Sequence, residues 1–148
     1  MKGFSIIEVV IAVSILALLS AGVMGAFSIF RDTRELDRAS SDVLNFVREA
    51  RSRTLASEND SQFGVHFESD RAVVFRGAAY VEGAADNEIY LLPPRVEVYS
   101  ITIQGNNVVF ERLTGNASVS GTVAFRLKNA PSKISTLFIQ STGLIYAQ

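Results

Sequence analysis

Hydrophobic and polar positions divide the chain into three stretches with three rhythms. From Val9 to Phe30 no residue is charged, in the run VVIAVSILALLSAGVMGAFSIF. Beyond it, Leu36, Ala39, Val43, Phe46, Val47, Ala50 and Leu55 return with helical spacing, while Asp37, Arg38, Asp42, Arg48, Glu49 and Arg51 take the other faces. From Gln62 the period becomes two. Phe63, Val65 and Phe67 alternate with polar residues, Ser69-Asp70 turns the chain, and Ala72 to Phe75 returns as the second strand of a hairpin. Further strands are expected at 88–92, 96–103, 108–113, 122–127, 134–140 and 144–147. Pro93-Pro94, Gly105-Asn106-Asn107, Thr114-Gly115-Asn116, Ala130-Pro131-Ser132 and Ser141-Thr142-Gly143 supply the turns between them. The stretch 77–87, rich in Gly and Ala, reads as a loop.

These rhythms predict an α+β fold, with a long N-terminal helix packed on an antiparallel β-sheet domain. The helix is expected to run unbroken through its apolar and amphipathic halves and to end within 56–59. Fifty residues at 1.5 Å each would reach about 75 Å. The uncharged run is long enough to cross a bilayer core, which needs roughly 20 apolar residues. An ordinary cleavable signal would have a longer basic region than the single Lys2 and an apolar core of only about 7–15 residues. Gly22 and Gly25 interrupt the run, either as points of local unwinding or as a close helix-packing seam.

Composition narrows the chemistry. The 148 residues carry 14 Lys+Arg against 15 Asp+Glu, net −1, with no cysteine and one histidine. The absence of cysteine excludes disulfides, thiolate metal sites and cysteine nucleophiles. The balanced charge gives no global attraction for nucleic acid. Arg48-Glu49-Ala50-Arg51-Ser52-Arg53 is the most basic local run. It reads as a solvated helix face rather than a nucleic-acid patch, because Glu49 and Glu58 dilute it. His66 occupies an alternating strand position, and Glu58, Asp60, Glu68 and Asp70 are scattered near turns. No nucleotide or zinc-protease motif is present. No enzyme, cofactor or metal is expected.

Glu8 is the odd residue, one turn into an apolar helix. A carboxylate inside a bilayer is a functional-site candidate; a glutamate at a helix N-terminus is also favoured by the macrodipole at the membrane surface. Residue chemistry leaves both open.

Gly3-Phe4-Ser5-Ile6-Ile7-Glu8, followed at once by the apolar helix, resembles the class III signal of type IV prepilins and pseudopilins. The resemblance implies cleavage between Gly3 and Phe4 by a prepilin peptidase, N-methylation of Phe4, and a role for Glu8 in assembly. It also implies single-pass insertion in the bacterial inner membrane with an extracytoplasmic head. The expected partners are membrane lipid, other pilins or pseudopilins, and the assembly platform. The segments would be a leader at 1–3, a transmembrane and assembly helix at 4–30, its amphipathic continuation at 31–58 and a β-rich head at 62–148. A second likeness rests on Ala50-Arg51-Ser52 near the helix end and Ser141-Thr142-Gly143 before the last strand. These resemble the GspH/FimT family of H-type pseudopilins and minor pilins. Some members carry basic residues in the last strand that serve DNA binding; Leu144-Ile145-Tyr146-Ala147-Gln148 has none. The expected function is a minor pilin or pseudopilin of a type II secretion pseudopilus or type IV pilus. The alternative is a membrane-tethered binding module for adhesion or DNA capture.

Overall fold

The computed structural model describes residues 5–148, and for residues 21–29 the backbone alone. Gly3 and Phe4 therefore lie outside the described residues, as do the surroundings of Gly22 and Gly25.

Helix α1 (Ile6–Leu55) is a single element of 50 residues. Ser5 enters it in extended conformation, and Ala56 closes it with an N–H bond to Ser52 O. Just beyond, Ser57, Asn59 and Asp60 have φ of 50°, 51° and 53°. Short polar side chains tolerate this left-handed region best, which is why the helix stops here. The buried stripe of the second half is Asp32, Leu36, Ala39 with Ser40, Val43, Val47, Ala50 and Thr54. Each fully buried Val or Leu contributes about 1.5–3 kcal/mol by leaving water. Leu55, expected in this stripe, is 40 % exposed. From Ala50 the helical period reaches Thr54, whose hydroxyl donates to Ala50 O and accepts from Phe63 N, both at 2.9 Å. A polar residue thus closes the stripe and ties the helix end to the first strand.

The head holds two four-stranded antiparallel sheets. One has the order β3-β2-β1-β5, from β1 (Phe63–Phe67), β2 (Arg71–Arg76), β3 (Glu88–Leu91) and β5 (Asn107–Val109). The other has the order β4-β6-β7-β8, from β4 (Val96–Ile101), β6 (Gly121–Leu127), β7 (Ala130–Ile139) and β8 (Ile145–Ala147). Phe63, Val65 and Phe67 of β1 meet Phe125, Leu127, Leu137 and Ile145 of the second sheet and the α1 stripe in one core. Residues 77–87 contain no strand.

Two strand expectations change. The strand foreseen at 108–113 is only Asn107–Val109, followed by a single bridge from Phe110 to Ala117. The chain then leaves the sheet and Leu113 takes φ 71°. The turn foreseen at Ala130-Pro131-Ser132 is instead Lys128-Asn129, since Leu127 pairs with Ala130. Pro131 lies inside β7, where the register slips between Arg126 paired with Ile134 and Leu127 paired with Ala130. A proline has no N–H for the ladder, so a bulge is where a strand can hold one.

Candidate functional site

Along α1, three places carry chemistry. The first is the stretch 5–20, in which every residue is exposed. Its large apolar side chains, from Ile6 at 84 % to Val9 at 51 % exposed, touch nothing in the head. The two hydroxyls of the stretch are satisfied within the helix. Ser14 donates to Val10 O and Ser20 to Leu16 O, each at 2.7 Å. Such back-bonding removes the cost of a hydroxyl in hydrocarbon. Glu8 is the one charge among residues 5–20, and its side chain has no partner among the described residues. At the far border, the Arg34 guanidinium lies 4.9 Å from the Phe30 ring centroid. Among the described residues no helix is long and apolar enough to cross a membrane; the uncharged run includes positions 21–29, whose side chains are not among them.

The second place is where α1 meets the head. Asp32 is the first buried residue of the stripe. Its carboxylate accepts from Asn129 Nδ2 at 2.8 Å and pairs with Arg95 Nη1. Arg95 precedes β4 and Asn129 sits in the β6–β7 turn, so two loops at the base of the head grip the helix together. The Asn129 hydrogen bond, with help from Arg95, holds the Asp32 carboxyl below its usual range against the opposing effect of burial. Sequence reading missed this clasp. The signal was present: Asp32 lies four residues before Leu36, in phase with the apolar stripe.

The third place corrects an expectation. The basic run Arg48–Arg53 is exposed at Arg48, Glu49 and Ser52, as a solvated face would be, but its three arginines also dock the helix on the head. Arg48 Nη2 donates to Ile145 O at 3.0 Å and Arg51 Nε to Gly115 O at 2.9 Å. Arg53 Nη1 reaches Glu88 Oε1 at 2.6 Å, with Glu49 at 3.2 Å. Gly143 completes the joint. It has φ 76°, and a Cβ there would stand 2.0 Å from Gly115 O and 2.6 Å from Arg51 Nε. Only glycine fits. The two short motifs noted in the sequence, Ala50-Arg51-Ser52 and Ser141-Thr142-Gly143, are therefore halves of one contact.

The remaining candidates are structural. His66 Nδ1 lies 2.7 Å from Asn107 Oδ1, and its ring stacks on Tyr80 at 4.1 Å. Glu58 faces Arg53, Asp60 faces Arg112 and Glu68 pairs with Arg71. Among the described residues no three His, Cys, Asp or Glu are grouped to hold a metal.

Comparison with known proteins adds two findings. Residues 1–24 match the family model described as the prokaryotic N-terminal methylation motif. The fold is similar to that of the Pseudomonas aeruginosa type IV minor pilin FimU in two crystal forms. The first has TM-score 0.60 and 12 % identity, covering 80 % of this chain and 92 % of that one. The second has TM-score 0.57 and 12 % identity, covering 76 % and 92 %. No curated protein matches the chain. The chain thus matches an N-terminal methylation motif over residues 1–24 and has a fold similar to that of FimU.

Proposed function

We propose that this chain, with its N-terminal methylation motif and its minor-pilin fold, is a minor pilin or pseudopilin, a structural subunit and not an enzyme. In this reading residues 1–3 are a leader, prepilin peptidase cuts between Gly3 and Phe4, and Phe4 is N-methylated. The helix over 4–30 waits in the inner membrane, with the amphipathic continuation at 31–58 and the head at 62–148 outside. The chain then leaves the membrane through the assembly platform into a type II secretion pseudopilus or a type IV pilus. A place among the H-type subunits is supported by the joined Arg51 and Gly143 motifs.

The observation that carries the proposal is the N-terminal stretch of α1: a continuous exposed apolar surface bearing one carboxylate. Such a surface needs lipid first and neighbouring helices later. Cleavage creates an amine at Phe4. In a packed helical bundle, Glu8 of a neighbouring subunit is its natural counter-charge, relieving the desolvation cost of both groups and fixing register.

Mass spectrometry of the chain purified from its own membranes tests the processing step, with a mature N-terminus at methylated Phe4 expected. An intact Met1 would reduce the protein to a plain signal-anchored one. Glu8→Val is expected to insert in the membrane at wild-type level yet fail to co-purify with filament partners. Wild-type co-purification of that variant would remove Glu8 from assembly.

A further inference from the structure

One groove in the head holds two cations that the fold leaves without a counter-charge. About 400 Å³ in volume, it lies between the last turns of α1 and the β7–β8 turn, lined by Arg48, Arg51, Thr142, Gly143, Leu144 and Ile145. Every arginine from Arg53 to Arg126 has a carboxylate oxygen within 3.2 Å. Among the described residues Arg48 and Arg51 have only backbone carbonyls, one each. A guanidinium has five N–H donors in a planar fork, so most of the donors of both remain for an outside acceptor. Those same carbonyl bonds hold the two side chains in place beforehand, which lowers the entropy cost of binding.

The rim says what kind of acceptor fits. Leu144 is 55 % exposed, Leu113 in the neighbouring turn 84 %, and Leu55, packed toward Gly115, 40 %. A planar bidentate cation flanked by exposed leucines has the make-up of a protein interface. A polyanion is disfavoured: Glu49 and Glu111 stand close by in sequence, and the chain is net −1. Resting on the reading of the chain as an assembled subunit, we propose that this groove docks an acidic side chain, with an adjoining apolar one, from a neighbouring subunit of the filament or its tip complex.

The test uses the full chain in its own cells, with Leu144 replaced by the photoreactive amino acid benzoylphenylalanine. Illumination is expected to give an adduct to another pilin-like subunit, on a peptide containing Asp or Glu. Arg48→Glu in the same chain should cut adduct yield about tenfold, the scale of a lost charge pair. Arg48 is the exposed member of the pair; its replacement also removes the bond to Ile145 O, and the reversed charge pair that follows, which does not restore that bond, separates lost docking from a shifted last strand. Changing the partner's acidic residue to Arg should restore the adduct to Arg48→Glu. An adduct indifferent to Arg48→Glu overturns the proposal, as does a nuclease-sensitive adduct. If methylated chain co-purifies with its partners and no adduct forms, the groove alone is refuted. If Met1 is intact and no complex forms, the assembly reading falls and takes the groove with it.

Discussion

Upstream of Asp32, the described large apolar side chains of α1 are 51–84 % exposed; downstream, Leu36, Val43 and Val47 are at 2 % or less. One helix thus carries two apolar surfaces, and only the second finds its cover within the chain. The acidic residues repeat the contrast. Asp32 has Arg95 and Asn129 from the head, whereas the Glu8 side chain has no partner among the described residues. A group satisfied in the single chain serves folding, and a costly group left unsatisfied points to a later partner. The change from exposed to covered falls at Asp32, two residues past the end of the uncharged run.

The sharpest way to break this comparison is to make the same substitution on both sides of the boundary. Leu36→Ala is expected to destabilise the head by about 2–5 kcal/mol, through lost transfer energy and the cavity left behind. Leu16→Ala, at a position 62 % exposed, should change unfolding in detergent by less than about 0.5 kcal/mol. Equal effects in denaturant titrations of the full chain would mean that the first half also packs on the head.

Next in size is Gly143→Ala. The left-handed φ alone costs a side chain about 1–2 kcal/mol, and the new Cβ would stand 2.0 Å from Gly115 O. The Arg51 bond to Gly115 must then give way, so the melting temperature should drop by several degrees, about 2–4 °C per kcal/mol for a chain of this size. Gly77, also at positive φ but with open space around it, is the control. Gly77→Ala should cost only the φ strain. Equal losses at the two glycines would remove the joint between helix and last turn from the account.

Periodicity located both halves of α1 and seven of the eight strands to within a few residues, because burial on one face leaves a direct trace in residue order. It failed where long-range partners decide. Nothing local in Arg48 or Arg51 distinguishes a solvated arginine from one reaching a carbonyl far along the chain at Ile145 or Gly115. Pro131 misled for the same reason. A turn dipeptide and a strand bulge look alike until the register of the partner strand is known. The N-terminal motif needed no tertiary structure to be read, since its chemistry lies in consecutive residues.

The clasp at the boundary responds to acid. Asp32 titrates below the usual carboxylate value of 3.8, held down first by Asn129 and then by Arg95. A lowered folded-state value means that the contribution is fully present above the unfolded value and is lost as pH falls through the folded one. Asp32→Asn should therefore melt below wild type near neutral pH, and the gap should narrow as pH drops below about 4. A gap of constant width across that range would show that the Asn129 and Arg95 contacts do not depend on charge.

The smallest expected effect lies on the far side of the boundary, where β3 meets the packed half of α1. Tyr90 Oη donates to Asp42 Oδ2 at 3.1 Å, and its ring lies 6.1 Å from that of Phe46. Burial, then the Asp42 carboxylate, push the phenol up to about 12 from its ordinary 10.0. Tyr90→Phe keeps the ring and removes one hydrogen bond, worth about 0.5–1.5 kcal/mol. The lower end is expected, because Asp42 stays half-exposed with Arg38 at 3.8 Å. A raised folded-state value reverses the sign found for Asp32. The contribution of Tyr90 is intact below about pH 10 and is lost as pH rises toward 12. Melting curves of wild type and Tyr90→Phe should therefore differ at pH 8 and converge above about pH 11. No difference between the two chains at pH 8 would mean that ring packing on Phe46, which both retain, and not the bond to Asp42, holds β3 to the helix.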